Sequence, residues 1–222
     1  AKNEYLVFTD ADCYPSSNDW LLQMSTQLTK EKTIVLSYGA YEKVKNSFLN
    51  KIIRFETMLT ATQYFSWAKI GKPYMGVGRN LAYKKEEFFN VRGFMDHMKI
   101  RSGDDDLFIN QAATKKNTAI LYTPESFTFS EPKTTFSSWV YQKRRHATTA
   151  KFYKGFDKFQ LGLFFFSQFW FLVLAIVLLA FQFQWMIVTG IIVFRYLFTW
   201  ISLGYAAGKL KEKDVMYWYP II

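Results

Sequence analysis

The sequence predicts an α/β domain followed by a helix at a membrane surface and a transmembrane helical hairpin, and three observations carry that prediction. Short strands rich in β-branched and aromatic residues alternate with amphipathic helices through the first 135 residues. Phe159 to Phe194 is a run of 36 residues without an ionisable side chain. Lysines gather at both borders of that run, with Lys151, Lys154 and Lys158 before it and Lys209, Lys211 and Lys213 after it.

Composition narrows the classes. Half of the 222 residues are hydrophobic and 20% are aromatic, which excludes a disordered chain. The balance of 28 Lys and Arg against 18 Asp and Glu gives a formal net charge of +10. Cys13 is the single cysteine, so no intramolecular disulfide forms. With His97 and His146 as the two histidines, a Cys/His zinc site lacks ligands, and a metal would be held by carboxylate oxygen as magnesium, manganese or calcium.

The elements follow in order. Tyr5 to Phe8 is an apolar strand, and Trp20 to Leu28 is a helix capped by Ser16, Ser17 or Asn18. Thr33 to Tyr38 is a strand. Phe48 to Trp67 is a helix because Phe48, Ile52, Phe55 and Leu59 recur on one face. This helix, with Trp67 and Tyr74 at its far end, reads as core, and a wall for an acceptor molecule is the second reading. A glycine-rich Gly76-Val77-Gly78 precedes a helix from Asp105 to Ala113, and strands follow at Ala119 to Tyr122 and Phe127 to Phe129. Phe136 to Phe159, aromatic and basic together, suits a helix along a bilayer surface. As one helix the uncharged run would reach about 54 Å, well beyond a hydrocarbon core of roughly 30 Å. Two spans fit: Leu161 to Phe181, a tight turn at Gln182-Phe183-Gln184, then Trp185 to Tyr205. The flanking lysines put both ends in the cytoplasm; a buried hairpin in a soluble protein is the other reading. Arg195 falls near the middle of the second span, where it faces protein, a water pocket or a lipid phosphate, or snorkels to an interface.

Three motifs carry chemistry. Asp10-Ala11-Asp12 directly follows the first strand, where ligands bind in open α/β sheets, and two carboxylates there can hold a hard divalent cation or form solvated caps. Gly103-Asp104-Asp105-Asp106 opens a helix. Capping and the helix dipole account for two of the three carboxylates, and the third can act as a general base. Gln142-Lys143-Arg144-Arg145-His146 sits on a helix that places Gln142 and Arg145 on one face, suited to phosphate oxygens. Lys143 and Arg144 read as attraction to anionic headgroups.

The order of these motifs resembles the membrane-bound glycosyltransferases of family 2, which include the processive synthases of cellulose and hyaluronan type and ceramide glucosyltransferase relatives. Those sequences carry Asp-x-Asp, an acidic motif, Gln-x-x-Arg-Trp and then membrane helices. The resemblance covers most of residues 3 to 160. It implies a partial GT-A fold over residues 1–135, an interfacial helix over 136–159, two transmembrane helices over 160–207 and a cytoplasmic tail over 208–222. It also implies inverting transfer from a nucleotide diphosphate sugar to a lipid or glycan acceptor, with bound Mg2+ or Mn2+. By the same resemblance Asp12 ligates the metal with Asp10 beside it, Asp104 is the base with Asp105 its close competitor, and Gln142, Arg145 and His146 bind the donor diphosphate. Gly76, Gly78, Arg79 and Asn80 contact the sugar donor or acceptor. His146 stands where the processive enzymes have Trp, which favours transfer of a single sugar. An upstream strand–helix unit carrying the uracil-binding Asp is expected before residue 1. The expected setting is the inner (plasma) membrane of the cell envelope, multi-pass, with the catalytic part cytoplasmic; nucleic acid is not an expected partner. The alternatives are a metal-dependent nucleotidyl- or phosphotransferase and a non-catalytic membrane-anchored binding module.

Overall fold

Apolar β-branched runs form the strands that hold the site. In the computed structural model, which describes residues 2–98, 100 and 102–219, the elements are β1 (Tyr5–Phe8), β2 (Cys13–Pro15), α1 (Trp20–Thr26), β3 (Ile34–Ser37), β4 (Gly39–Tyr41), α2 (Phe48–Lys69), β5 (Leu81–Lys84), α3 (Lys85–Asn90), α4 (Asp104–Ala112), β6 (Thr118–Leu121), β7 (Thr128–Ser130), α5 (Phe136–Ala147), α6 (Gly155–Ala180) and α7 (Trp185–Lys209). Four strands form a mixed sheet in the order β1-β5-β3-β6, and three form a second sheet in the order β2-β7-β4. Ile34, Val35, Leu36 and Ser37 of β3 are all buried. Such a continuous apolar run belongs to a strand covered on both faces.

The fold class follows the sequence: mixed α/β sheets, then two helices long and apolar enough to cross a membrane. α2 starts at its expected residue because Ser47 Oγ accepts the Asn50 N–H at 3.1 Å. α1 begins at Trp20 without a side-chain cap bond; Ser17 Oγ instead accepts the N–H of Asp19, the N-cap residue, at 3.1 Å.

The expected surface helix over 136–159 divides. α5 ends at Ala147, where the Thr148 and Thr149 hydroxyls donate back to the carbonyls of Arg145 and His146, both at 2.7 Å. The chain then turns through Ala150–Phe152. α6 starts at Gly155, earlier than expected, because its first turns are anchored in the domain. Asn110 Nδ2 donates to Asp157 Oδ2 at 2.8 Å and to the Tyr74 carbonyl at 2.9 Å, and Asn110 Oδ1 accepts the Lys154 N–H at 2.9 Å. Trp67 packs on Phe156 and Tyr74 on Tyr153, so the far end of α2 is core, as its periodicity indicates.

The hairpin turns where expected, with positive φ at Gln182 (55°) and Gln184 (45°). Arg195 hydrogen-bonds Gln168 of α6 and lies 3.7 Å from the centroid of the Phe171 ring.

After α7 the chain folds back. Of the expected tail 208–222, Lys213–Trp218 forms a 3-10 helix with Val215 and Met216 in the core, and 220–222 lie outside the described residues. Arg54 of α2, 2% exposed, donates to Glu212 and, at 2.7 Å, to both carboxylate oxygens of Asp214, while Lys43 Nζ reaches Asp214 at 2.7 Å. Burial raises the Glu212 pKa against the pull of Arg54, whereas the Arg54 hydrogen bonds hold Asp214 well below the ordinary carboxylate range.

Removing one partner of a buried pair leaves an uncompensated charge. Arg54→Met is therefore expected to destabilise the protein by about 3–5 kcal/mol, and adding Glu212→Leu to recover most of that loss. Thermal unfolding of the solubilised variants checks both; a single substitution as mild as a surface change would contradict the account.

Candidate active site

Strand register assembles the site. β1 pairs antiparallel with β5, with Phe8 opposite Leu81, so Thr9 and Asp10 beyond the end of β1 lie beside Asn80 and Arg79 before the start of β5. β2 then crosses into the second sheet, where Cys13 is opposite Ser130 of β7, and Tyr41 of β4 is opposite the same residue. The Arg79 guanidinium consequently sits 4.4 Å from the Tyr41 ring centroid and 3.5 Å from Ser130 Oγ. The junction of the two sheets opens into a cavity of about 870 Å³.

α4 brings the second acidic motif to that cavity. Its N-cap is Gly103 at φ 80°, a left-handed conformation that glycine adopts freely, and a Cβ there would collide with Thr149. The three carboxylates that follow have different fates. Asp104 is exposed and lines the cavity. Asp105 accepts the N–H of Gly78 and, at 2.9 Å, the N–H of Asp106. Burial raises its pKa against those two bonds. Asp106 faces Tyr153 and Thr149, and burial pushes its pKa well up. The N-cap residue, Gly103, has no side chain to cap α4, and Asp105 takes up the first-turn N–H of Asp106.

Asp10, Asp12, Asp104 and Asp105 all line the one cavity. The Asp10 pKa is raised, first by burial, then by Asp12, with Asp104 adding to the effect and Arg79 opposing it. Ligand atoms of Asp10, Asp12 and Cys13 all lie within 4.8 Å of one another. Two carboxylates after a strand suit a hard divalent cation. The Cys13 Sγ also pairs with Ser130 Oγ at 3.0 Å.

α5 supplies the basic side. Gln142, Lys143, Arg145 and His146 line the cavity, and Gln142 Nε2 lies 3.5 Å from the Tyr41 hydroxyl. Desolvation, then the cations of Lys143, Arg145 and Arg79, lower the His146 pKa to about 4, so the imidazole is neutral at pH 7. Lys143, read from sequence as a headgroup contact, instead pairs with Glu56 of α2.

Of the four residues expected at the sugar, Gly78 and Arg79 line the cavity. The structure puts Gly76 and Asn80 behind that wall. A Cβ on Gly76 would meet Leu36 at 2.8 Å and Ile109 at 3.2 Å. Asn80 is fully buried, donating to the carbonyls of Tyr38 (2.8 Å) and Ser126 (2.7 Å) and accepting from Trp20 Nε1 (3.1 Å). It fixes the turn that presents Gly78 and Arg79. The sequence reading missed Glu56, Thr57, Thr60 and Tyr64, which line the cavity from α2. Polar residues at positions 56, 60 and 64 did not stand out, because α2 also carries Asn50, Lys51, Arg54, Thr57, Thr62, Gln63, Ser66 and Lys69.

Paired carboxylates at a sheet junction, an acidic helix start and a Gln/Arg helix thus line one cavity. A family model described as glycosyl transferase family group 2 matches residues 10–209, and the chain belongs to that family. No curated protein matches the sequence. Among solved structures, the mannosyltransferase PcManGT from Pyrobaculum calidifontis, in complex with GDP-Man and Mn2+, is similar at 17% identity and a TM-score of 0.44 over 63% of this chain and 35% of that chain. The chain thus spans about a third of that protein's length.

The lowered His146 pKa has a stability consequence. Between pH 6.5 and about 4 the unfolded chain binds the proton that the folded imidazole refuses, so stability falls as pH drops through that window and is unaffected by His146 above it. His146→Gln is expected to flatten that part of the profile of melting temperature against pH; an unchanged slope would contradict the depressed pKa.

Proposed function

We propose that the chain is the membrane-bound catalytic part of an inverting glycosyltransferase that moves a sugar from a nucleotide diphosphate sugar to a hydroxyl of a lipid or glycan acceptor. The single observation that carries this reading is the division of labour between neighbouring carboxylates: Asp105 is consumed by two backbone N–H groups, whereas Asp104 is open to the cavity beside Asp10 and Asp12. A general base must be ionised and within reach of the proton it takes, and Asp104 meets that need better than Asp105.

Asp104 takes the proton of the acceptor hydroxyl as the acceptor oxygen forms its bond to the anomeric carbon. The bond from that carbon to the diphosphate oxygen breaks on the opposite face, so the product has inverted configuration and nucleoside diphosphate is released. Arg145, with its fork of donors, and Gln142 hold the diphosphate oxygens from α5. Asp12 and Asp10 would hold a Mg2+ or Mn2+ ion, which would neutralise charge that grows on the leaving diphosphate. Neutral His146, beside these groups, offers hydrogen bonds without adding charge. Gly78 and Arg79 form the wall near the sugar, and Gly76 and Asn80 hold that wall in shape. α6 and α7 cross the inner (plasma) membrane with their lysine-flanked ends in the cytoplasm, so the cavity meets a membrane-borne acceptor at the inner leaflet.

Asp104→Asn is expected to lower kcat by about 10²–10⁴-fold, with the donor KM within twofold of wild type and unfolding unchanged, since the side chain is exposed. Steady-state release of nucleoside diphosphate from the complete protein in vesicles measures this. Turnover that survives the substitution would remove Asp104 as the base, and release of pyrophosphate would point to nucleotidyl transfer instead.

A further inference from the structure

One wall of the cavity has no part in the chemistry just described. α2 is a core helix in which Ile53, Met58 and Phe65 are buried, yet Glu56, Thr57, Thr60 and Tyr64 turn toward the cavity. Tyr64 gives its hydroxyl proton to the Ser37 carbonyl at 2.9 Å. Glu56 is held differently. Its Oε1 accepts from Thr60 Oγ1 at 3.2 Å, while its Oε2 is covered by the Lys143 ammonium, which pairs with it. A carboxylate offers about four lone-pair positions. Thr60 takes one on Oε1 and Lys143 one on Oε2, so one acceptor position remains on each oxygen. Lys143 is a long, partly exposed side chain that can move its tip to admit a ligand hydroxyl and then donate to the ligand's oxygen. A partly buried carboxylate with adjacent open acceptors and a mobile donor beside it suits two neighbouring hydroxyls.

The same arrangement disfavours a phosphate acceptor. Arg79 stacks on Tyr41 and faces Asp10, Lys143 is opposed by Glu56, and Arg145 is assigned to the donor diphosphate, which leaves the exposed Lys133 as the remaining cation of the lining. An added phosphate would meet Glu56 and Asp104. A phosphate monoester is also largely ionised at neutral pH, with a second pKa of about 6, and needs no base; a hydroxyl does. Resting on the glycosyltransferase reading, we infer that Glu56, oriented by Thr60 and Lys143, binds the acceptor, and that the acceptor presents a vicinal hydroxyl pair of a sugar or polyol headgroup rather than a phosphate.

The test uses the complete protein in lipid vesicles with UDP-glucose, UDP-N-acetylglucosamine and GDP-mannose as donors. Methyl glycosides, a glycolipid and a polyprenyl phosphate serve as acceptors, with nucleoside diphosphate release and glycoside product both measured. Glu56→Gln keeps the shape of the side chain and is expected to raise the acceptor KM by about 10–100-fold, the worth of one or two hydrogen bonds to a charged group, with the donor KM changed less than twofold. An acceptor lacking one hydroxyl of the pair loses a similar factor with wild type and little more with Glu56→Gln. Thr60→Val, which removes only the orienting bond, gives a smaller rise and serves if Glu56→Gln fails to accumulate. An unchanged acceptor KM in Glu56→Gln, or polyprenyl phosphate as the preferred acceptor, overturns the inference while leaving sugar transfer intact. Wild type that releases no nucleoside diphosphate with any donor overturns the glycosyltransferase reading, and this inference with it.

Discussion

Like-charge crowding is the constraint on which the rest of the structure depends. Asp10, Asp12, Asp104 and Asp105 converge on one cavity, and two carboxylates about 5 Å apart repel by about 3 kcal/mol at an effective dielectric constant of 20. Folding alone would push them apart. The scaffold resists with rigid backbone devices: the β1–β5 register, the Asn80 clamp on two carbonyls, the left-handed Gly103 and the Gly78 N–H that ties Asp105 down. Burial raises the Asp10 pKa most, and Asp12 and Asp104 add to it while Arg79 opposes them.

The hairpin is fastened to this site at both of the ends away from its turn. The start of α6 is bound to α4 through Asn110 and Asp157, and Asp106 of α4 faces Tyr153 and Thr149 just before that start. The chain after α7 is bound to α2 through Arg54, Glu212 and Asp214. The helix that carries Asp104 and the helix that carries Glu56 are therefore each tied to one end of the hairpin. The two ends of the hairpin and two walls of the cavity thus share their anchors.

Much of this was legible from local pattern. The uncharged run from Phe159 to Phe194, the Phe48-Ile52-Phe55-Leu59 stripe and the β-branched strand at residues 33–38 each follow from burial acting on periodic sequence, and each lies where expected. The pair Asp10 and Asp12 could be read as a candidate because it follows a strand. What sequence could not deliver was the long-range consequence of folding. The short strands β2 and β4 have three residues each and exist because β7 lies between them. The helix expected over 136–159 is cut by two threonine hydroxyls that compete for backbone carbonyls. Gly76 and Asn80 looked like ligand contacts in a glycine-rich loop, yet one makes room for Leu36 and the other spans two carbonyls. Lys143 sits in a basic run that suits anionic lipid, and only the approach of α2 turns it toward Glu56.

The holding of a cation by Asp10 and Asp12 is tested most directly by manganese binding, read by electron paramagnetic resonance on the complete protein with nucleoside diphosphate present. The account predicts one bound Mn2+ per chain, its affinity lowered at least tenfold by Asp12→Ala and by Asp10→Asn at unchanged melting temperature. Mn2+ binding of wild-type strength in both variants would contradict it.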